Sequence, residues 1–202
     1  MPVLAGALIR LEPLSVEHAD GYLAAAGNDA DAAEVFRWLN PAGGGAGGQP
    51  RTREDAVRHI AGALAARARG ERFAYAQVDA RTDEVAGTTS LYEVDPARRA
   101  LAIGHTWLGR RWWRTGHNTE SKLLLLAHAF DGLGAVRVVW HTDVRNTRSQ
   151  EAIARLGATR EGLLRKHRLR RDGSWRDSVQ FAMTDDDWPA VRRALTDRLA
   201  AG

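Results

Sequence analysis

The stretch RTGHNTESKLLLLAHAF, residues 114–130, joins a polar opening with one glycine to a segment that is apolar around most of a helix. Such a helix is predicted to be buried on more than one side and to lie against a sheet. The first amides of a helix have no partners within it, so they are able to bind an anion. The opening at Gly116 is therefore a candidate phosphate site, although a turn glycine followed by a capping Asn118 or Thr119 would explain the same residues.

The segments around this helix predict a mixed sheet. Three runs that alternate apolar and polar residues, 72–80, 85–94 and 100–108, indicate an antiparallel meander. The β-branched run AVRVVWHT, 135–142, follows the helix, and a strand, helix, strand order makes part of the sheet parallel. Asp172-Gly173 predicts a hairpin between the two strands on either side of it. The expected fold class is α+β, with a central twisted sheet that is mostly antiparallel and flanked by helices.

The remaining elements complete one predicted domain over residues 1–202. A first strand is expected at 7–12, and the composition of NPAGGGAGGQP, residues 40–50, predicts a flexible loop. Four further helices are indicated: one from Ser15, one after the cap signature Thr52–Asp55, one at 147–156 with Ile153 and Leu156 facing inward, and one at about 187–200.

Composition excludes several kinds of site. The chain has no cysteine, so it contains no disulfide, no cysteine nucleophile and no thiolate metal site, and this suits a reducing cytoplasm. No bound metal is expected. The apolar start is too short, and is interrupted too early by Arg10 and Glu12, to be a secretory or membrane segment. A cytoplasmic protein without a membrane partner is therefore predicted.

A second polar helix opening lies about thirty residues after the first. In TDVRNTRS, residues 142–149, Asn146 and Ser149 follow a strand and begin the next helix. A capping box of Thr147 and Gln150 would explain this segment as well. Two such openings after neighbouring strands face the same edge of a sheet, which is where α/β folds place ligands. Together they suit a long ligand with an anionic end.

At this point the chain resembles the GNAT superfamily of acyl-CoA-dependent N-acetyltransferases, and within it the ribosomal-protein-alanine acetyltransferases, from about Leu8 to Trp188. The resemblance implies acetyl-CoA as co-substrate and a splayed pair of strands. The family's Q/R-x-x-G-x-G/A loop for the CoA pyrophosphate keeps only its first glycine here. The implied CoA-binding residues are the loop Trp113, Arg114, Thr115, Gly116, His117 and Asn118, the hydroxyl of Thr119, the strand end Trp107, Leu108 and Gly109, and Asn146 and Ser149 of the second opening.

The implied chemistry is direct attack of a primary amine on a thioester. The amine must lose a proton to a base, and the oxyanion needs a donor, for which a main-chain N–H near Leu108 or Gly109 is expected. Ser149 matches the serine of this branch and is the candidate acid for the leaving thiolate. His105 and His167 are candidate bases because of their ordinary pKa values, although each is also explained as a packed or surface histidine.

Other residues were considered for the roles of acid and base. Many relatives use a tyrosine as the acid, but all three tyrosines, Tyr92 being the last, precede the motif in the chain. His141 is a weaker candidate base, and Glu161, beside Gly162 in a strand kink, is expected to be structural. A water relay would need none of these side chains.

Three functions remain open. The first is acetyl transfer to an amine-bearing acceptor, either a protein N-terminus or a small molecule, with another acyl group such as succinyl as a variant. The second is non-catalytic acyl-CoA binding. The third is nucleic-acid binding by the basic run 165–171, which is disfavoured because aromatic residues that read bases do not alternate with these arginines. The family resemblance makes a homodimer the expected assembly if the chain associates with itself.

Overall fold

The structure is a computed structural model, and it describes residues 1–39, 48–170 and 172–201. Most of the predicted glycine-rich loop at 40–50 therefore lies outside the described residues. The strands are β1 (Leu4–Ala5), β2 (Ile9–Pro13), β3 (Arg72–Asp79), β4 (Val85–Asp95), β5 (Ala100–Leu108), β6 (Arg137–Asp143), β7 (Thr159–Leu169) and β8 (Trp175–Thr184). The α-helices are α1 (Ala19–Ala26), α2 (Asp29–Val35), α3 (Arg53–Ala68), α4 (His117–Ala127), α5 (Thr147–Ala154) and α6 (Trp188–Ala200).

One mixed sheet organises the molecule, with the strands in the order β1-β2-β3-β4-β5-β6-β8-β7. Every neighbouring pair is antiparallel except β5 and β6, which are parallel. The parallel pair arises because α4 carries the chain back across the sheet between these two strands. The predicted mostly antiparallel mixed sheet and the antiparallel meander are confirmed.

Helices cover the two faces of the sheet and give each face its own core. Leu125 and Leu126 of α4 and Ile153 of α5 pack on one face, together with Trp188 and Leu195 of α6. The other face is covered by α1, α2 and α3 over β2 to β5. Part of that second face, over β6, β7 and β8, carries polar side chains instead of an apolar cover.

Local signals placed most of these elements correctly. Thr52 caps α3, because its hydroxyl accepts from the amide of Asp55 at 3.1 Å and its own amide donates to that carboxylate at 3.0 Å. Gly157 has a φ of 93° and ends α5 as predicted. The sequence analysis missed β1 and α2, and it placed the first strand two residues early. Both missed elements are short, and their residues show little periodicity.

Helix α4 is anchored at its first turn by a buried carboxylate. Glu120 accepts hydrogen bonds from the amides of Ala7, Leu8 and Ile9 at 2.9, 2.7 and 2.8 Å. A Cβ at Gly6 would lie 2.4 Å from the Glu120 carboxyl carbon, so this turn has room only for glycine. A carboxylate at a helix N-terminus also benefits from the helix dipole. The N-terminal hairpin therefore fixes the start of α4. Within the described ranges, each helix is too short or too polar to span a bilayer.

Replacing Glu120 with glutamine is expected to lower the free energy of unfolding by about 2–3 kcal/mol. The glutamine side chain is uncharged, and its NH2 group would face backbone N–H groups that are themselves donors. Denaturant titration of the two proteins measures this difference. The control is Glu151→Gln on α5, where the carboxylate is exposed and, among the described residues, pairs with Arg155 alone, at 3.7 Å; there the expected change is below about 0.5 kcal/mol. Equal losses in both variants would show that Glu120 does not anchor α4.

Candidate active site

Strands β5 and β6 run together for only a short distance. Their register pairs Ala100 with Arg137, Leu101 with Val138 and Ala102 with Val139, and it ends there. Beyond these pairs, β5 continues along β4 and β6 continues along β8. The two strands therefore part toward their carboxyl ends and leave a cleft between their facing edges. This is the splayed strand pair that the sequence analysis expected.

Two helix N-termini stand at the open end of this cleft. Helix α4 follows β5 and α5 follows β6, so both begin at the same edge of the sheet. The first helical hydrogen bond of α4 runs from the amide of Glu120 to the carbonyl of Gly116, which leaves the amides of Asn118 and Thr119 ahead of it. The guanidinium of Arg148 lies 3.8 Å from the centre of the Trp113 ring, so the two openings are neighbours in space.

Contacts within the chain hold the predicted phosphate loop in place. The hydroxyl of Thr115 donates to the carbonyl of Trp112 at 2.7 Å and lies 2.9 Å from Nδ1 of His117. Nε2 of His117 lies 3.1 Å from the Asp79 carboxylate, which also accepts from the Trp112 indole at 3.0 Å. Burial opposes the ionisation of Asp79, but these hydrogen bonds and two backbone amides hold its pKa well below its usual range. The side chains of Thr115 and His117 thus orient the loop.

Packing within the chain requires a glycine at position 116. A Cβ at this position would lie 2.6 Å from Cδ1 of Leu8 and 3.4 Å from Cδ2 of Leu199. The missing side chain therefore makes room for the N-terminal hairpin and α6. A bulky substitution at Gly116 would disturb this packing as well as any anion bound by the neighbouring amides.

Two main-chain groups at the end of β5 already have partners. The amide of Gly109 donates to the carbonyl of Ala86 at 2.8 Å, so it is not a free oxyanion donor, and that expectation is corrected. The carbonyl of Leu108 accepts from the Trp113 indole at 2.7 Å. Trp107 turns its ring into the core, 4.8 Å from the ring of Tyr22. These residues are therefore placed to shape the end of β5.

The second opening contains a cap and a free hydroxyl. Asn146 caps α5, since its side-chain oxygen accepts from the amide of Ser149 at 3.1 Å. Gln150 donates to the carbonyl of Val144 at 2.9 Å, so the predicted Thr147–Gln150 capping box is not formed. The hydroxyl of Ser149 makes no hydrogen bond to any residue that the structure describes.

A chain of aromatic contacts connects the two predicted bases on the other face of the sheet. The ring of His105 lies edge-on to that of Tyr92, with 5.2 Å between centres. The phenol of Tyr92 lies 3.2 Å from Nδ1 of His141, whose ring is 4.9 Å from that of His167. We call His105, Tyr92, His141 and His167 the histidine cluster. Tyr92 belongs to it although it precedes the motif, because position in the chain does not determine position on a sheet.

Strained backbone surrounds the histidine cluster. His105, Glu93 and Lys166 each have a φ of 49° inside a strand, a region that side chains other than glycine rarely adopt. At His105 the register of β4 and β5 shifts, so that two residues of β5 face one of β4. This bulge turns His105 toward Tyr92.

Lys122 of α4 holds this bulge through hydrogen bonds to both strands. Its ammonium donates to the hydroxyls of Thr89 on β4 and Thr106 on β5 at 2.9 and 2.8 Å, and the two hydroxyls lie 2.9 Å apart. The lysine is 4% exposed, and complete burial lowers its pKa from 10.5 to about 7. The sequence analysis did not single out this residue, although a lysine just before four leucines was a visible signal.

Three arginine side chains place positive charge on the face of the sheet that carries the histidine cluster. Arg72 donates to the hydroxyl of Ser90 at 2.8 Å, Arg168 to Glu93 at 2.7 Å, and Arg176 to the carbonyl of His141 at 3.3 Å. We call Arg72, Arg168 and Arg176 the arginine group. Burial, together with the charges of the arginine group, lowers the pKa of His105 to about 3, so that this imidazole is neutral at pH 7. The pKa of His167 is also lowered, first by burial.

The folding stabilities of the wild type and of a variant without Lys122 are predicted to respond differently to pH. The unfolded lysine keeps its proton up to its ordinary pKa, whereas the folded one loses it near pH 7, so folding becomes more favourable as pH rises between these values. From pH 7 to pH 9 the wild type is expected to gain about 2 kcal/mol relative to Lys122→Met, in which Thr89 and Thr106 still bond to each other.

Denaturant titration at both pH values measures this gain. Lys166→Met is the matched control, because Lys166 is exposed and is the chain's other lysine. Parallel pH profiles for the wild type and Lys122→Met would contradict the assignment of a depressed pKa to Lys122.

Known proteins share this architecture. Over 98% of this chain and 85% of the other, the crystal structure of a GCN5-related N-acetyltransferase from Brucella melitensis aligns with a TM-score of 0.89 and 30% identity. Mycobacterium smegmatis RimJ in complex with CoA-disulfide shares the fold, with a TM-score of 0.77 and 23% identity over 96% of this chain and 91% of that one.

Sequence comparison indicates the same relationship as structural comparison. The ribosomal protein uS5-alanine N-acetyltransferase of Escherichia coli (strain K12) is 27% identical over 124 residues, which are 61% of this chain and 63% of that enzyme. The matched stretches span less than two thirds of the length of the curated relatives. Residues 9–159 match the family described as "Acetyltransferase (GNAT) domain". Since this match covers most of the chain, the protein belongs to the GNAT family of acetyltransferases.

Proposed function

We propose that this chain transfers the acetyl group of acetyl-CoA to a primary amine by direct attack. The parting of β5 and β6 after three residue pairs carries this proposal, because it opens a cleft that runs from two helix N-termini to the histidine cluster. The donor would enter at the helix N-termini on one side of the sheet, and the acceptor would approach from the face of the histidine cluster. The curated relative that acts on an alanine of ribosomal protein uS5 supports a protein acceptor; a small-molecule amine is the alternative.

The residues at the cleft fit coenzyme A. The amides of Asn118 and Thr119 precede the first helical hydrogen bond of α4, so they suit the pyrophosphate. The side chains of Arg114 and Asn118 make no hydrogen bond within the described ranges, so both are available to a ligand. Asn146 keeps its amide hydrogens free while its oxygen caps α5, which leaves a donor for the pantetheine arm. Bound acetyl-CoA supplies the thioester.

The acceptor must reach the thioester as a neutral amine. The reaction joins the amine nitrogen to the acetyl carbon, breaks the carbon–sulfur bond, and moves one proton from nitrogen to the leaving thiolate or to water. The arginine group and partial burial both disfavour an ammonium ion at the histidine cluster, so they favour loss of its proton. A neutral His105 accepts a hydrogen bond there, and His141 and His167 extend the path for the proton toward solvent.

Ser149 is the proposed proton donor to the thiolate. Its hydroxyl stands at the N-terminus of α5 and makes no hydrogen bond to a described residue. Tyr92 is the second hydroxyl near the cleft, and burial raises its pKa to about 12, so it stays protonated. Non-catalytic acyl-CoA binding is the second candidate function, and the buried proton path of the histidine cluster argues against it.

Acetyl-CoA is expected to bind the wild type and to bind Asn118→Asp about tenfold more weakly, because a carboxylate at this helix N-terminus repels the CoA phosphates. The helix itself is not weakened, since a negative charge in its first turn is favourable. Isothermal titration calorimetry measures both affinities. Ala190→Asp adds the same charge to the exposed first turn of α6 and serves as the control. Absence of wild-type binding would rule out the acetyltransferase proposal.

Release of CoA thiol on addition of an amine tests catalysis, and a chain without cysteine contributes no background to a thiol assay. Ser149→Ala is expected to lower kcat by a factor of about 100 and to weaken acetyl-CoA binding much less, because its main effect is on proton transfer. If kcat falls in Tyr92→Phe and not in Ser149→Ala, then Tyr92 is the donor. Binding of acetyl-CoA without thiol release from any amine in a broad panel would favour the non-catalytic candidate.

A further inference from the structure

The face of the sheet that carries the histidine cluster has more positive than negative charge. Glu93 pairs with Arg168 at 2.7 Å and lies 3.8 Å from Nδ1 of His141. Arg72 and Arg176, by contrast, form no ion pair with a carboxylate among the described residues. Both are partly buried, and burial lowers the pKa of each guanidinium. Burying a cation without an anion costs free energy, so a ligand that supplies the anion would bind favourably.

A cavity of about 200 Å³ is lined in part by Arg176. It lies between the tip of the β7–β8 hairpin, the end of β6 and the residues that follow α2. The one buried carboxylate in its wall, Asp143, is already held by Arg170 at 2.8 and 3.1 Å. Arg37 and Arg145 add two further guanidinium groups to the wall. The positive charge of this cavity is therefore continuous with the arginine group.

A second observation is a buried polar atom of the histidine cluster that has no hydrogen-bond partner among the described residues. Nδ1 of His167 is buried and makes no hydrogen bond within the described ranges, although buried nitrogens normally have a partner. The hollow of about 440 Å³ beside α1 is different, because its arginines Arg110 and Arg111 already pair with Glu34 and Glu84. The smaller cavity thus offers an anion site that the described residues do not fill.

We propose that the acceptor amine carries a carboxylate, and that Arg176, in the wall of this cavity, binds it. This inference rests on the proposed function. The acceptor would then be an amino acid, or a peptide with an acidic residue beside its amino end, and the carboxylate would hold the amine at the histidine cluster. The Nε and Nη2 groups of Arg176 donate to the Ser178 hydroxyl at 3.0 Å and to the His141 carbonyl at 3.3 Å, so the carboxylate would bind the Nη1 side of the guanidinium.

A carboxylate on the acceptor is also compatible with the loss of a proton from its amine. A carboxylate bound by Arg176 leaves Arg72 and Arg168 near His105, where they still disfavour an ammonium ion. A cationic amine without a carboxylate would face four arginines and two aspartates in the wall of this cavity, and therefore net positive charge. The preference is therefore expected in KM more than in kcat, because the carboxylate binds away from the reacting atoms.

The test compares matched acceptors with and without the charge. Thiol release from acetyl-CoA is measured with phenylalanine and its amide, and with a peptide amide beginning Asp-Ala and its Asn-Ala counterpart. The wild type should favour each acid at least about tenfold in kcat/KM. Arg176→Met should remove this preference, and Arg176→Lys should restore part of it. Arg193→Met, which removes an exposed charge on α6, should leave it unchanged.

Binding provides a readout that does not depend on turnover. Calorimetric titration of the same acids and amides into the protein without acyl-CoA should show binding of the acids, lost in Arg176→Met. If no amine releases thiol, the proposed function fails, and this titration still decides the charge preference of the cavity. Equal affinities for acids and amides, or a preference that survives in Arg176→Met, would overturn the inference.

The acyl chain is the other source of a carboxylate. If wild type prefers succinyl-CoA to acetyl-CoA at least about tenfold with neutral amines, and Arg176→Met loses that preference, then the carboxylate belongs to the acyl group and the acceptor assignment is wrong.

Discussion

The structure depends on two parallel strands that stop pairing before they end. Strands β5 and β6 share three residue pairs, and each then follows a different neighbour. Backbone groups that face the resulting cleft lack the partners that a sheet normally provides, so the cleft is predisposed to bind an extended ligand. The elements that flank the cleft hold it open: Lys122 clamps the bulge in β5, and the Trp113 indole caps the carbonyl of Leu108.

Buried cations distinguish this site from an ordinary core. Lys122 on one face of the sheet is buried, and Arg72 and Arg176 on the other face are partly buried. None of the three has a carboxylate partner in the described part of the chain. Such groups cost stability, and their concentration around one bulge indicates a functional reason for keeping them. The buried carboxylate of Glu120 shows the opposite case, since three backbone amides compensate it fully.

Sequence patterns predicted the elements whose causes are local. The cap of α3, the meander of β3 to β5 and the hairpin at Asp172-Gly173 each follow from neighbouring residues, and they were correctly identified. The packing at Gly116 could not be predicted in this way, because Leu8 and Leu199, which exclude a side chain there, lie far away in the chain on either side. Tyr92 was set aside because it precedes the motif, yet β4 lies beside β5 and brings it to His105.

The sequence by itself determined the family resemblance, the mixed sheet and the polar openings of α4 and α5, because periodicity, capping and turn chemistry act over a few residues. Only the tertiary structure decided that His105, Tyr92, His141 and His167 form one cluster, that the amide of Gly109 is already bonded, and that three arginines from β3, β7 and β8 share a face. These facts depend on strand order and register, which pair residues far apart in the chain and which no local pattern encodes.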